Sequence, residues 1–298
     1  MEKRRLGRTD MEVTVLGFGG AEIGYESASQ ETVATLLGSA LDAGLNVIDT
    51  AECYNASEEL IGKAVSHRRG DYYLFTKCGH ASGFDLPDWD PKLLEQSIDR
   101  SLKRLQTDHV DLVQLHTCSE ALLRQGDVIA VLQKAREAGK TRYIGYSGDS
   151  KAARYALECG AFDTLQTSVN IADQECVALT LPVAVERGIG VIAKRPIANA
   201  AWSTGEKPKN PYSHTYWDRL QALDYDFLKA DLERSIATAL RFTLAAPGVC
   251  TAIVGTKNPQ RWGKNAQLAA QGPLPADQFE AIRARWHAVA PPEWIGQA

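Results

Sequence analysis

Asp49, Tyr54, Lys77 and His116 are the side chains whose types fit one piece of chemistry: protonating a carbonyl oxygen as it gains negative charge. A tyrosine, with a pKa of about 10 in water, is a poor acid or base at neutral pH. A lysine ammonium beside it favours the phenolate and lowers that pKa, and an aspartate beside the lysine keeps it charged and in place. A histidine can donate a hydrogen bond to a substrate oxygen. Each of the four falls at or just past the end of a short apolar run. Val47-Ile48 leads into Asp49 and then Tyr54, Tyr72 to Thr76 into Lys77, and Val110 to Leu115 into His116. In parallel sheets and barrels, ligands bind at the carboxyl ends of the strands.

The elements that must position these residues alternate along the chain. Arg4 to Leu6 and Glu12 to Val15 flank Gly7-Arg8-Thr9-Asp10, a hairpin pattern. Strands are then expected at Val15 to Phe18, Val47-Ile48, Tyr72 to Thr76, Val110 to Leu115, Arg142 to Tyr146, Thr164 to Thr167, Ile189 to Ala193 and Thr251 to Val254. Helices with a 3.6-residue apolar stripe separate them: Gln30 to Ala43, Ser57 to Val65 with a capping-box pattern at Ser57, Pro91 to Leu105 capped by Asp90, about Ala121 to Ala138, Lys151 to Glu158, Glu175 to Arg187 interrupted by Pro182, Leu232 to Ala245 and Pro259 to Ala270. A last helix spans about Ala276 to Val289, and residues 199 to 228 read as a long loop over the mouth. Eight strand-helix units at this length argue for a closed barrel and one domain across residues 1–298.

Composition narrows the function classes. The 298 residues are 44% hydrophobic and 23% charged, with 33 basic against 37 acidic side chains, a net charge of -4. Nothing there favours a nucleic-acid or polyanion partner. Six scattered cysteines without a C-x-x-C pair argue against a metal site or a disulfide framework and for reduced thiols in a cytoplasmic protein. The chain has no signal-peptide pattern and no apolar run of about 18 residues, so no membrane partner is expected.

The motifs together resemble the aldo-keto reductase superfamily: D-T-A-x-x-Y over Asp49 to Tyr54, F-T-K over Phe75 to Lys77, S-L-x-R-L-x-x-D over Ser101 to Asp108, and V-D-L-V-Q-L-H over Val110 to His116. The likeness runs from Arg5 through Asn265. It implies a (β/α)8 TIM barrel with an N-terminal β-hairpin and extra C-terminal helices, a nicotinamide cofactor across the mouth, and hydride transfer to an aldehyde or ketone with Tyr54 giving the proton. Ser147 and Gln166 match positions that hold the carboxamide. The usual asparagine after that serine is Gly148, and Lys194 stands where an aromatic residue commonly stacks on the nicotinamide. Arg195, Pro196, Ile197 and Asn199 match the pyrophosphate turn, and Gly20 and Ala21 lie on the first βα turn of the same mouth. The last loop, with Gly255, Thr256, Lys257, Arg261, Lys264 and Asn265, matches the adenosine-phosphate site. A helix N-terminus with Lys257 and Arg261 suits a 2′-phosphate, and Lys264 adds charge, so NADP is the expected cofactor.

Other readings are set against this one. Gly17-Phe18-Gly19-Gly20 resembles a dinucleotide loop but equally a tight βα turn, and the acidic residue a Rossmann site needs is not evident. Lys77 as a Schiff-base lysine is disfavoured by Tyr54 and the cofactor loop. Cys53 and Cys78 read as packing residues. Tyr25, Trp89, Trp202, Tyr212 and Tyr225 are candidates for the pocket wall, and His80 and His214 lie in mouth loops. The substrate is expected to be a small carbonyl compound. A sugar or polyol dehydrogenase and a non-catalytic, cofactor-bound regulatory subunit are the alternatives; oligomeric state is left open.

Overall fold

The barrel strands are short runs of Val, Ile, Leu and Phe whose inward-facing residues alternate with those facing the helices. The computed structural model describes residues 1–297. Strands β1 Lys3–Arg5 and β2 Glu12–Thr14 pair antiparallel as the expected hairpin. Eight parallel strands follow: β3 Leu16–Gly19, β4 Val47–Asp49, β5 Tyr73–Cys78, β6 Val110–His116, β7 Thr141–Ser147, β8 Thr164–Ser168, β9 Gly190–Lys194 and β10 Val249–Gly255. They close in chain order, β10 returning to β3, with helices around them. This is the (β/α)8 barrel the motifs implied.

The hairpin plugs the amino end. Leu6, Met11 and Val13 are fully buried and pack with Val47, Phe75, Leu112, Ile192 and Ile253, which point inward from five strands. The fit is close: a Cβ at Gly7 would lie 2.2 Å from the Gly190 nitrogen, and Gly7 sits at φ +57°. Only glycine meets both demands without strain. Asn46 ties the plug to β4, its side chain accepting from Thr14 N at 2.7 Å and donating to Glu12 O at 2.8 Å.

Two helical expectations change. The helix over Ala121 to Ala138 is two, Glu120–Gln125 and Asp127–Glu137, because Gly126 between them takes φ 88°. Glu175 to Arg187 is interrupted as expected, into Glu175–Leu179 and Leu181–Glu186, with Pro182 in the first turn of the second. Residues 199 to 228 are not a structureless loop. They hold the helix His214–Leu223, whose Tyr216, Leu220 and Leu223 recur at helical spacing and are buried. That face packs in a second apolar cluster with Trp202, Tyr225, Phe242 and Trp286. Trp202 and Tyr225 are thus core residues, with Trp202 Nε1 donating to Ser235 Oγ at 3.1 Å and the Tyr225 hydroxyl donating to Ile171 O at 3.0 Å. Asp90 caps its helix as expected, whereas Ser57 caps nothing: its Oγ donates to Gly20 O at 2.7 Å, bracing the first βα turn. Among the described residues, no helix is long and apolar enough to cross a membrane.

The helix Ser57–Val65, which follows the loop carrying Tyr54, meets the helix Pro91–Leu105 at Gly62, where an added Cβ would lie 2.2 Å from Arg104 O. Gly62→Ala should therefore cost about 1–3 kcal/mol and lower the urea midpoint. An unchanged midpoint would mean the helices separate there without penalty.

Candidate active site

The two-residue period of the strands aims the site residues. Val47, Phe75, Leu112 and Ile192 face inward at the plugged end. Two residues on, Asp49, Lys77, Gln114 and Lys194 face inward again, nearer the carboxyl ends, and His116 lies two beyond Gln114. Tyr54 comes from the loop after β4, beside Gly24, where a Cβ would fall 2.0 Å from Tyr54 O.

The four expected residues converge. Lys77 Nζ donates to Asp49 Oδ2 at 2.6 Å and to Thr50 O at 2.8 Å, and both side chains of the ion pair are shut from solvent. Lys77 Nζ is 5.0 Å from the centre of the Tyr54 ring, and the His116 ring stands edge-on to Tyr54 at 5.6 Å. His80 lies 5.4 Å from His116, and Tyr25 lies 5.4 Å from Tyr54.

One electrostatic expectation is reversed. Burial and then the Asp49 carboxylate push the Tyr54 phenol well above its ordinary value, while Asp49 also pairs with the ammonium expected to lower it. Tyr54 is consequently a neutral phenol, able to give a proton, throughout the neutral range. His116 moves the other way: burial and then the Lys77 and Lys194 cations hold it well below its usual range, so the imidazole is neutral at pH 7. Its Nδ1 lies 3.4 Å from Cys53 Sγ, and burial pushes that thiol up, so it keeps its proton.

A cavity of about 390 Å³ begins at Asp49, Tyr54 and His116. Its wall continues through Ser147, Gln166 and Lys194, the turn Arg195, Pro196, Ile197 and Asn199, and then Gly255, Thr256, Arg261 and Asn265; Gly20 and Ala21 line it as well. Two expected residues fall elsewhere. Lys257 pairs with Glu26 at 2.8 Å outside the wall, and Lys264 is exposed on the helix Pro259–Ala269. Of the aromatic candidates, Tyr212 lines the cavity, while Trp89 packs against Gly79. His214 bonds to Pro208 O at 2.8 Å. The sequence reading missed Glu22, Thr117 and Ile236 on the wall and Asp149 behind it, while Asn258 lies in the last loop it matched; Glu22 and Asp149 stand within three residues of the strand ends Gly19 and Ser147, the one signal that pointed to them.

The wall fits an extended anionic ligand. Asn199 Nδ2 is buried and partnerless among the described residues, and Arg261 adds positive charge. Arg195, Ala198, Asn199 and Ala200 all take positive φ, 45° to 54°, a strained run of the kind that clusters at ligand clamps. Arg195 Nε donates to the Tyr212 hydroxyl at 2.6 Å and Nη1 to Ser168 Oγ at 3.0 Å.

A family sequence model, Aldo/keto reductase family, matches residues 15–287. The chain belongs to the aldo/keto reductase family and is an oxidoreductase. It is 29% identical to L-galactose dehydrogenase of Arabidopsis thaliana over 91% of this chain and 89% of that one. D-threo-aldose 1-dehydrogenase of a Pseudomonas species is 26% identical, covering 87% and 90%. Among solved structures, the holo form of aldo-keto reductase AKR11C1 from Bacillus halodurans matches with a TM-score of 0.82 at 27% identity, covering 99% of both chains.

Behind the wall, Asp173 is fully buried, accepting from Gln297 N at 3.0 Å and the Tyr216 hydroxyl at 3.3 Å. Burial, and then Asp149, raise its pKa to about 7. A carboxyl raised in the folded state binds a proton there that the unfolded chain has released, so it lowers stability as pH rises from the unfolded value through about 7. The melting temperature should therefore fall as pH rises from about 4 to about 7 in the wild type, and Asp173→Asn should flatten the profile. Parallel profiles would exclude Asp173 as the cause.

Proposed function

We propose that this oxidoreductase reduces an aldehyde or ketone to the alcohol with NADP(H), Tyr54 serving as general acid. The observation that carries the reading is the meeting of a neutral phenol, a neutral imidazole and the buried Asp49–Lys77 pair at one end of the cavity. The nicotinamide cofactor, when bound, supplies the hydride. His116 orients the carbonyl by donating from its ring, and Tyr54 passes its phenolic proton to the oxygen as charge grows there. Lys77 then faces the phenolate that remains, and Asp49 keeps the ammonium in place. Ser147, Gln166 and Lys194 would border the nicotinamide, the turn from Arg195 to Asn199 the pyrophosphate, and Gly255, Thr256, Arg261 and Asn265 the adenosine end.

NADP over NAD rests on Arg261 in the wall, at the start of the helix Pro259–Ala269, with Lys257 close by. Six free cysteines support a reducing, cytoplasmic setting. The oxidative alternative, a sugar dehydrogenase, is favoured by the names of two relatives. It requires Tyr54 to begin as a base, and a phenol pushed upward by burial opposes that at neutral pH.

Tyr54→Phe should keep NADPH binding, followed by tryptophan fluorescence, and lose about a hundredfold or more in turnover across a carbonyl panel; undiminished turnover would refute the role. Arg261→Ala should weaken NADPH by about tenfold and leave NADH unchanged. Equal losses for both cofactors would refute the 2′-phosphate assignment.

A further inference from the structure

Lys194 is an unusual side chain for the wall of a cavity that would hold a nicotinamide ring. It ends β9 and is nine-tenths buried, with 9% of its surface exposed. Among the described residues its ammonium has one partner, Asp149 Oδ2, at 2.8 Å. Asp149 is itself fixed, its Oδ1 accepting from Thr167 Oγ1 at 2.8 Å and Ser168 N at 2.7 Å. An ammonium carries three donors, so N–H groups remain on Lys194 beside a cavity that also holds Ser147, Gln166 and His116.

The neighbouring donors are partly engaged, with one N–H of the Gln166 amide remaining. Ser147 Oγ donates to Gln166 Oε1 at 3.2 Å, and Gln166 Nε2 donates to Asp49 Oδ1 at 2.8 Å. The turn after β7 cannot offer another side chain at position 148. A Cβ on Gly148 would lie 2.5 Å from the Tyr146 hydroxyl oxygen, and that hydroxyl is held by donation to Cys118 O at 2.6 Å. Tyr146 thus occupies the space a larger residue at 148 would need, and Asp149, one residue on, holds Lys194.

We propose that Lys194, oriented by Asp149, is the donor to the carboxamide oxygen of the nicotinamide, taking the part that no side chain at position 148 can play. The inference rests on the cofactor reading above and deepens it. The resulting bond is charge-assisted, stronger than one from a neutral amide. Lys194 is therefore a cofactor-positioning residue, and Asp149 acts through it.

The test compares NADPH, which bears the carboxamide, with adenosine 2′,5′-bisphosphate, which lacks the nicotinamide half, by titration calorimetry. The double variant Lys194→Met/Asp149→Asn removes both charges, so neither is left buried alone. It should bind NADPH about tenfold or more weakly and bind the bisphosphate as the wild type does. Lys194→Arg should recover most of the lost affinity. The wild type alone gives a second measurement: thionicotinamide-NADPH, whose sulfur is a poorer acceptor, should bind severalfold more weakly than NADPH. Undiminished NADPH affinity in the double variant, equal loss for both ligands, or no preference of the wild type for oxygen over sulfur would each overturn the proposal. A wild type that binds the bisphosphate but no nicotinamide cofactor would overturn the cofactor reading and this proposal with it.

Discussion

The ion pair between Asp49 and Lys77 is the constraint on which the site depends. Two opposite charges are held out of water, each on a different strand, 2.6 Å apart. Such a pair is costly to bury and gives little net stability, yet removing one partner would leave an uncompensated charge at a cost of about 3–5 kcal/mol. The protein meets the desolvation cost with further hydrogen bonds. Asp49 Oδ1 accepts from Gln166 at 2.8 Å and lies 3.4 Å from Gln114 Nε2, while Lys77 donates again to Thr50 O. One carboxylate thereby links β4, β5, β6 and β8, and the barrel must close for all of these groups to meet.

Charge balance around this pair decides the protonation states near it. Because Asp49 offsets Lys77, burial dominates at Tyr54 and the phenol stays protonated. Burial dominates at His116 too, with the Lys77 and Lys194 cations adding to it, so the imidazole stays neutral. The site thus holds two neutral hydrogen-bond donors in front of a compensated charge pair. That suits a reaction in which negative charge appears on oxygen only at the transition state.

The other end of the cavity is shaped by backbone. The turn after β9 holds four residues at positive φ, and the segment after it folds back as a helix on the second apolar cluster. Trp202, Tyr216 and Tyr225 fasten that segment to the barrel, which leaves Tyr212 to reach the cavity and Arg195. Its fold comes from packing, where its polar, proline-containing sequence suggested a loop.

Much of the protein was legible in its sequence because the barrel repeats a local signal. Apolar runs of two to six residues, each followed by an amphipathic helix, set the strand count, and Asp49, Lys77 and His116 were readable as strand-end residues from periodicity alone. What required the tertiary structure was every property that depends on a partner distant in sequence. The direction of the Tyr54 shift depends first on how deeply the phenol is buried and then on the Asp49 carboxylate beside it. Lys257 turned out to face Glu26, and Lys264 solvent, because a loop's charge pattern does not say which way its side chains point. Gly148 looked like a missing contact until Tyr146 was seen to fill the space beside it, with Lys194 and Asp149 joined across the next strands. Local propensity determined which elements form and where chemistry stands along them. Barrel closure alone decided which charges meet, since strands far apart in the chain become neighbours only when β10 returns to β3.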